Sequence, residues 1–237
     1  MELTLDDFVK EMQTWVRSQS LNPHFMDKSL LKEKGFYTTE SPFFELSKKL
    51  HNQLGEPRRT WERWLICLTQ APCVAVNLER YGRRCHFSLE QQKTALAYLQ
   101  EQGDLMALPH WKKAERQKVY FTDLSLINQV IEGKGPRFET VIINAALNSV
   151  QILAKQEQGL HGYFWQNPNK QEVDLVVGTK EKAHFAFELK AGEKVSKSSL
   201  KPLEIFTGSF GVPRSHTAVI FSGTPQERSG FQYLNPM

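Results

Sequence analysis

The apolar pattern of this chain changes period once, and that change limits the fold to a mixture of helix and sheet. Up to about residue 157, apolar residues recur three and four positions apart, as on one face of a helix. After Gly159 they alternate, as on a strand with one face buried. Leu5, Phe8, Val9, Met12 and Val16 predict a first helix with Thr4 as its N-cap, followed by a polar loop from Ser18 to about Asp27. Phe43, Phe44, Leu46, Leu50 and Leu54 predict a second, stopped by Gly55. Trp61, Trp64, Leu65 and Leu68 predict a third, running to Pro72. Ser88, with Gln91 three residues on, has the form of a capping box that opens a fourth helix. Leu89, Leu96 and Leu99 supply the apolar stripe of that helix, and Gly103 closes it.

Two short extended pieces follow, Asp104 to Leu108 and Lys118 to Thr122, around the basic loop Pro109–Arg116. Helices followed by a two-stranded hairpin are the plan of a winged helix, here at about 60–125 within a mainly helical domain spanning 1–135. The second domain is expected over 136–237. Pro136 suits the first position of a long helix over 136–157, with Phe138, Val141, Ile142, Ala145, Ile152 and Leu153 as its stripe. Strands are predicted at Gly162–Gln166, Glu172–Val177 and Ala183–Ala191, a helix at Ser199–Phe210, and a strand at Thr217–Ser222. The fold class is therefore α/β (α+β), with a core ordered helix, three strands, helix, strand.

Composition narrows the function classes. With 40% apolar and 24% charged residues over 237 positions, the chain can build a packed core and does not read as disordered. No run approaches the about 18 apolar residues of a membrane span. The opening MELTLDDF is acidic where a signal peptide is basic, so a cytoplasmic protein with no membrane partner is expected. Cys67, Cys73 and Cys85 form no CxxC pair and point to neither a disulfide framework nor a zinc site. No GxxxxGK[ST] phosphate loop is present, which argues against an NTPase. Thirty basic against 26 acidic residues permit nucleic-acid binding without demanding it.

The charged residues of the second half are the informative ones. Residues two apart on a strand share a face. Phe185, Phe187 and Leu189 thus face one way, and Ala186, Glu188 and Lys190 the other. Asp174 interrupts the Val/Leu run of the preceding strand, and a hairpin can bring it beside Glu188. Glu139, in the first turn of the long helix, can pack over the same end of the sheet. Three carboxylates and one ammonium on one patch suit a hard, oxygen-seeking cation, Mg²⁺ or Mn²⁺. Asp174 and Glu188 would hold it, with the backbone carbonyl of Leu189 as a further ligand and Glu139 completing the shell directly or through water, or supporting a second ion. Lys190 would orient and help deprotonate the attacking water and stabilise charge developing on a phosphoryl group.

The set Glu139 … Asp174 … Glu188-Leu189-Lys190, on that order of elements, resembles the PD-(D/E)XK nuclease superfamily. A closer resemblance rests on the phrases Lys118-Val119-Tyr120-Phe121-Thr122-Asp123, Phe138-Glu139, Tyr163-Phe164-Trp165 with Glu172-Val173-Asp174, and Phe187-Glu188-Leu189-Lys190. Over about Leu89 to Ser222 they resemble the C-terminal region of predicted bacterial and archaeal AAA-type ATPases. In that family a winged helix precedes a PD-(D/E)XK-like domain. The turn Asn167–Gln171 departs from the pattern by lacking a glycine. The resemblance implies Asp174 and Glu188 as metal ligands, Lys190 as catalytic and Glu139 as an accessory carboxylate. No ATPase module is present in this sequence, so the expectation is either a standalone relative or one that works with a separate ATPase or other protein partner.

The function expected from these residues is metal-dependent hydrolysis of DNA phosphodiester bonds, in phage defence, mobile-element processing or repair. The alternative is a non-catalytic module that keeps the fold for DNA binding or partner docking. Gln91, Gln92 and Lys93 on the fourth helix, Lys112, Lys113 and Arg116 on the basic loop, and Lys194 and Lys197 after the third strand are the candidate DNA contacts. Cutting both strands would make a homodimer attractive.

Overall fold

In a computed structural model, the structure describes residues 3–19, 43–70, 78, 85–123, 126, 134–155, 159–228 and 230–236. Most of the loop expected after Ser18, the end of the third helix at Pro72 and the last residues of the long helix lie outside these. The first helix, α1 (Leu5–Ser18), opens on a capping box in which Thr4 accepts the Asp7 N–H at 3.2 Å. Three further helices follow: α2 (Phe44–Leu54), α3 (Arg58–Gln70) and α4 (Leu89–Glu101). Gly55, at φ +84°, ends α2 in the left-handed conformation that glycine adopts without strain. Ser88 and Gln91 cap α4 reciprocally, as their spacing predicts.

The hairpin differs from expectation. Its strands, β1 (Leu105–His110) and β2 (Lys113–Phe121), absorb nearly all of the basic loop and leave only Trp111 and Lys112 between them. The end of β2 is buried from Lys118 to Phe121, with Val119 and Phe121 in the core, and that packing extends the ladder through polar residues that read as loop.

The chain divides into two compact units; one boundary falls between residues 133 and 134, beside the expected 135, but residues 1–23 and 109–114 group with the C-terminal half. One unit comprises residues 24–108 and 115–133. Its core joins Trp61, Trp64, Leu65, Phe87, Leu96, Leu99 and Phe121, with Trp61 stacked on Phe87 at 4.1 Å between ring centroids. The other comprises residues 1–23, 109–114 and 134–237, so α1 and the hairpin tip belong with the C-terminal half. Sequence periodicity shows that α1 has an apolar face but not which surface covers it.

The second unit continues with α5 (Lys134–Leu153), β3 (His161–Gln166), β4 (Glu172–Gly178), β5 (Ala183–Lys190), α6 (Lys201–Phe210), β6 (Thr217–Phe221), β7 (Gln226–Arg228) and β8 (Phe231–Leu234). Helix, three strands, helix, strand is the order expected, and the fold is mixed α/β. α5 starts two residues before Pro136, which its first turn tolerates because N–H groups there lack helical partners. The sheet runs from the hairpin tip through β3, β4, β5, β6 and β8 to β7. The tip joins by a parallel bridge, His110 opposite Phe164. β3, β4 and β5 are antiparallel neighbours, whereas β5, β6 and β8 run parallel. β7 and β8 extend the sheet beyond the strands that were expected.

The turn Asn167–Gln171 folds without glycine. Lys170 takes φ +61°, and the Asn167 side chain accepts the Gln171 N–H at 3.0 Å, holding the turn closed. The β4–β5 turn is tighter. A Cβ on Gly178 would meet the Lys182 carbonyl oxygen and, at 2.8 Å, the Ala183 Cα, both backbone atoms. Gly178→Ala is expected to cost about 2 kcal/mol in equilibrium urea unfolding, because the turn must open to admit the methyl. An unchanged midpoint would show that the turn is softer than this contact requires.

Two layers cover the sheet of this unit. α1 packs against α5, and its Phe8 lies 6.0 Å from Phe185 and 5.4 Å from Phe187, ring to ring. α6 sends Leu203 and Phe206 into a second cluster with Trp165, Val176, Ala186, Val219 and Phe221. Ala186 shares its face with Glu188 and Lys190, so the charged end of β5 emerges where the apolar packing stops.

Candidate metal centre

The paired register of β4 and β5 runs from Gly178 opposite Ala183 to Leu175 opposite Phe187. At the next residue, a carboxylate enters the ladder: Asp174 Oδ2 accepts the Leu189 N–H at 2.8 Å. A strand residue points its N–H and C=O toward the same neighbour, so the Leu189 carbonyl opens on the Asp174 side, as the ligand role expected of it needs. β5 remains bonded along its other edge, with Glu188 opposite Val219 and Lys190 opposite Phe221 on β6. The head groups of Asp174 and Glu188 therefore stand on rigid strands.

Glu188 is the unusual residue. It is 4% exposed, and its Oε1 pairs with Lys190 Nζ at 2.5 Å. Its Oε2 is buried and has no hydrogen-bond partner. Burial pushes its pKa up to about 8, the charges of Asp174 and Glu172 push the same way, and Lys190 opposes them. Burial by itself would lower the Lys190 pKa, but Glu188, Asp174 and Glu139 together outweigh it and hold the ammonium above its ordinary value. Glu139, on the first turns of α5, thus lies within electrostatic reach of Lys190, as its position in the sequence suggested.

A divalent cation fits this chemistry. Buried carboxylates that repel one another need a proton or a cation, and the orphaned Oε2 is an oxygen donor without a use in the fold. Among the described residues, no group of three or more His, Cys, Asp or Glu is arranged to hold a metal ion by itself. Glu139 lies on a helix, whereas Asp174 and Glu188 share neighbouring strands. Two carboxylates nevertheless match what Mg²⁺ ordinarily takes from protein, the remaining positions going to water and phosphate oxygens.

The expected DNA contacts fare unevenly. Gln92 is fully buried, accepting the Trp64 indole N–H at 3.1 Å and donating to the Ser88 carbonyl at 3.2 Å. It fills the core and cannot meet a nucleic acid there: the stripe of α4 turns it inward, toward Trp64. Gln91 is committed to the helix cap and to Glu56, 3.1 Å away. Lys112 lies over the Trp111 ring and donates to the Lys180 carbonyl at 3.1 Å. Arg116 is half-buried, whereas Lys93, Lys113, Lys194 and Lys197 are exposed.

Sequence reasoning passed over Glu172, whose charge also acts on Glu188. It pairs with Gln166 across the β3–β4 ladder, and a register shift in β4 separates its alternation from that of the residues that follow.

Residues 134–236 match the family model of a domain of unknown function, DUF4143. DUF4143 is found in AAA-ATPase-associated proteins. The match begins at the first residue of α5 and takes in every strand from β3 to β8, hence Glu139, Glu172, Asp174, Glu188 and Lys190. It does not extend to the region from Leu89 to Gly133, where the resemblance drawn from the sequence also placed a winged helix. No curated protein and no solved structure matches the chain. Among the described residues, no helix is long and apolar enough to cross a membrane.

Proposed function

We propose that this protein is a metal-dependent nuclease of PD-(D/E)XK type, hydrolysing DNA phosphodiester bonds at the Asp174–Glu188–Lys190 cluster. The observation that carries the reading is Glu188, whose buried Oε2 has no hydrogen-bond partner while acid side chains crowd it. Asp174 and Glu188 would hold Mg²⁺ or Mn²⁺, with the Leu189 carbonyl as a further oxygen. When bound, the ion acidifies a water and polarises the phosphoryl oxygen. Lys190 is held protonated by its acidic neighbours, so it donates hydrogen bonds to developing negative charge and orients the nucleophile; it does not serve as the base. Glu188 and Asp174 chiefly keep it charged, and Glu139 adds to their field. Exposed Lys194 and Lys197, directly after β5, are the nearest cations in sequence for a DNA backbone. The likeness of residues 134–236 to DUF4143 supports a separate ATPase as the partner.

A non-catalytic docking or DNA-binding role is the second reading. It is favoured by the hydrogen bonds Asp174 and Glu188 already make to Leu189 and Lys190. The deciding experiment incubates the full-length protein with supercoiled plasmid, linear duplex and single-stranded DNA in Mg²⁺, Mn²⁺ or EDTA. Cleavage is expected only with metal, and Asp174→Ala and Lys190→Ala are expected to reduce it at least about 10³-fold. Cutting that survives both substitutions removes this site from the chemistry. No cutting, together with no Asp174-dependent Mn²⁺ binding in calorimetry, leaves the docking role.

A further inference from the structure

In the unit of residues 24–108 and 115–133, one buried donor is left over. Trp61, on α3, has no exposed surface. Its ring stacks on Phe87 and meets Trp64 edge-on, with 5.6 Å between those two centroids. Its indole Nε1 is buried and, among the described residues, finds no hydrogen-bond partner. Trp64, in the same core, gives its own indole N–H to Gln92. A buried indole N–H ordinarily has an acceptor, so Trp61 is the exception that needs one.

Trp61 lines a cavity of about 250 Å³ between the end of α2 and the first turns of α4. Leu54 gives the cavity an apolar wall, and Glu56, Glu90 and Gln91 give it a polar one. The Glu56 carboxylate is held in place. Its backbone carbonyl accepts from His51 Nδ1 at 2.8 Å, and its side chain accepts from Gln91 Nε2 at 3.1 Å. Gln91 is fixed in turn, because its Oε1 accepts the Ser88 N–H at 2.9 Å. Glu90 is exposed in the first turn of α4, where the helix dipole favours a carboxylate. The cavity therefore sets one buried donor against two carboxylates at its edge.

These groups select among ligands. Two carboxylates repel a phosphate backbone, so this end of α4 is not a surface for DNA. A lone ammonium or guanidinium would satisfy the carboxylates and leave the indole without an acceptor. A basic residue within a peptide meets all three demands: a carbonyl oxygen, an apolar stem and a cationic head. Arginine suits the pair best, because its planar fork can donate to both carboxylates at once. We infer that the α2–α4 cavity is a docking site for an arginine of a partner protein. The arginine's backbone carbonyl accepts the Trp61 indole N–H, its stem lies on Leu54, and its guanidinium pairs with Glu56 and Glu90. This site is independent of the metal-site reading, since every residue that lines it belongs to the other unit.

The test is an NMR titration of the full-length, ¹⁵N-labelled protein, read at the indole N–H signals of its five tryptophans. Trp61→Phe, which keeps an aromatic ring in the core, assigns the Trp61 signal. The probe is acetyl-arginine amide, and acetyl-citrulline amide, of the same shape without the charge, is the control. The Trp61 signal is expected to shift saturably with the arginine probe and to need about ten times more of the citrulline one. Glu90→Gln, at an exposed position that the fold does not need, is expected to weaken the arginine probe about threefold, and Glu56→Gln with Glu90→Gln about tenfold. A Trp61 signal that does not move with acetyl-arginine amide would overturn the site, solvent then being the acceptor for the indole. A response equal for the two probes, or unchanged in the double variant, would overturn it as well, because the charge would then not be what the cavity recognises.

Discussion

In EDTA, the protein will lose stability steadily between pH 5 and pH 8, and Glu188→Gln will remove much of that slope. The sign follows from proton counting. Folded Glu188 keeps its proton up to about pH 8, whereas the unfolded side chain releases it near its ordinary value of 4.5. Within that window the folded state binds the extra proton, so raising the pH favours unfolding. The stabilisation is complete below the unfolded value and is lost as pH rises through the folded one. Each pH unit is worth at most about 1.4 kcal/mol, and the whole window several. Lys190, raised by the same neighbours, keeps its charge throughout and does not contribute to the slope. Glu188→Gln is neutral at every pH, so at pH 8 it should be the more stable protein in EDTA. Saturating Mg²⁺ should reverse the order, because the ion takes the place of the proton in the wild type alone. Urea midpoints at pH 5, 6, 7 and 8 for both proteins measure this. Parallel slopes would mean that Glu188 is ionised in the fold and that its burial is relieved in some other way.

Phe8→Ala is expected to destabilise the C-terminal unit by about 3–5 kcal/mol, a large part of the stability of a typical domain. Phe8 has no exposed surface and stacks on both Phe185 and Phe187. Replacing it leaves a cavity against β5, the strand that carries Glu188 and Lys190. The helix around it is held at a second point, where Gln13 Nε2 donates to the Asn235 carbonyl at 2.8 Å. Equilibrium unfolding followed by far-UV circular dichroism reads the loss directly. A loss below about 1 kcal/mol would show that α1 rests on the sheet without stabilising it.

Much of the site was legible from residues two apart on strands. Glu188 and Lys190 share a face by alternation, and Asp174 stands out as an acid in a Val/Leu run. Glu172 was passed over, and the rule would not have placed it: nothing in the sequence marks the register shift in β4, beyond which it pairs with Gln166. Gln92 failed in the opposite direction. A glutamine on a helix behind a good cap reads as surface, and only the position of the Trp64 indole explains its burial.

Local chemistry, written in the sequence, determined the elements and their ends. The boxes Thr4–Asp7 and Ser88–Gln91, the left-handed Gly55 and the shift from helical to alternating apolar spacing all act within a few residues of themselves. Tertiary structure alone decided which apolar face covers which. α1 belongs with strands more than 140 residues further along the chain, and the tip of the hairpin bonds to Phe164 rather than standing free as a wing. An apolar stripe states that a surface must be buried but carries no address for its partner, because the hydrophobic effect has no direction. That choice is made by shape, in the packed state, where Phe8 finds Phe185 and Phe187 and leaves the charged end of β5 at the margin of the core.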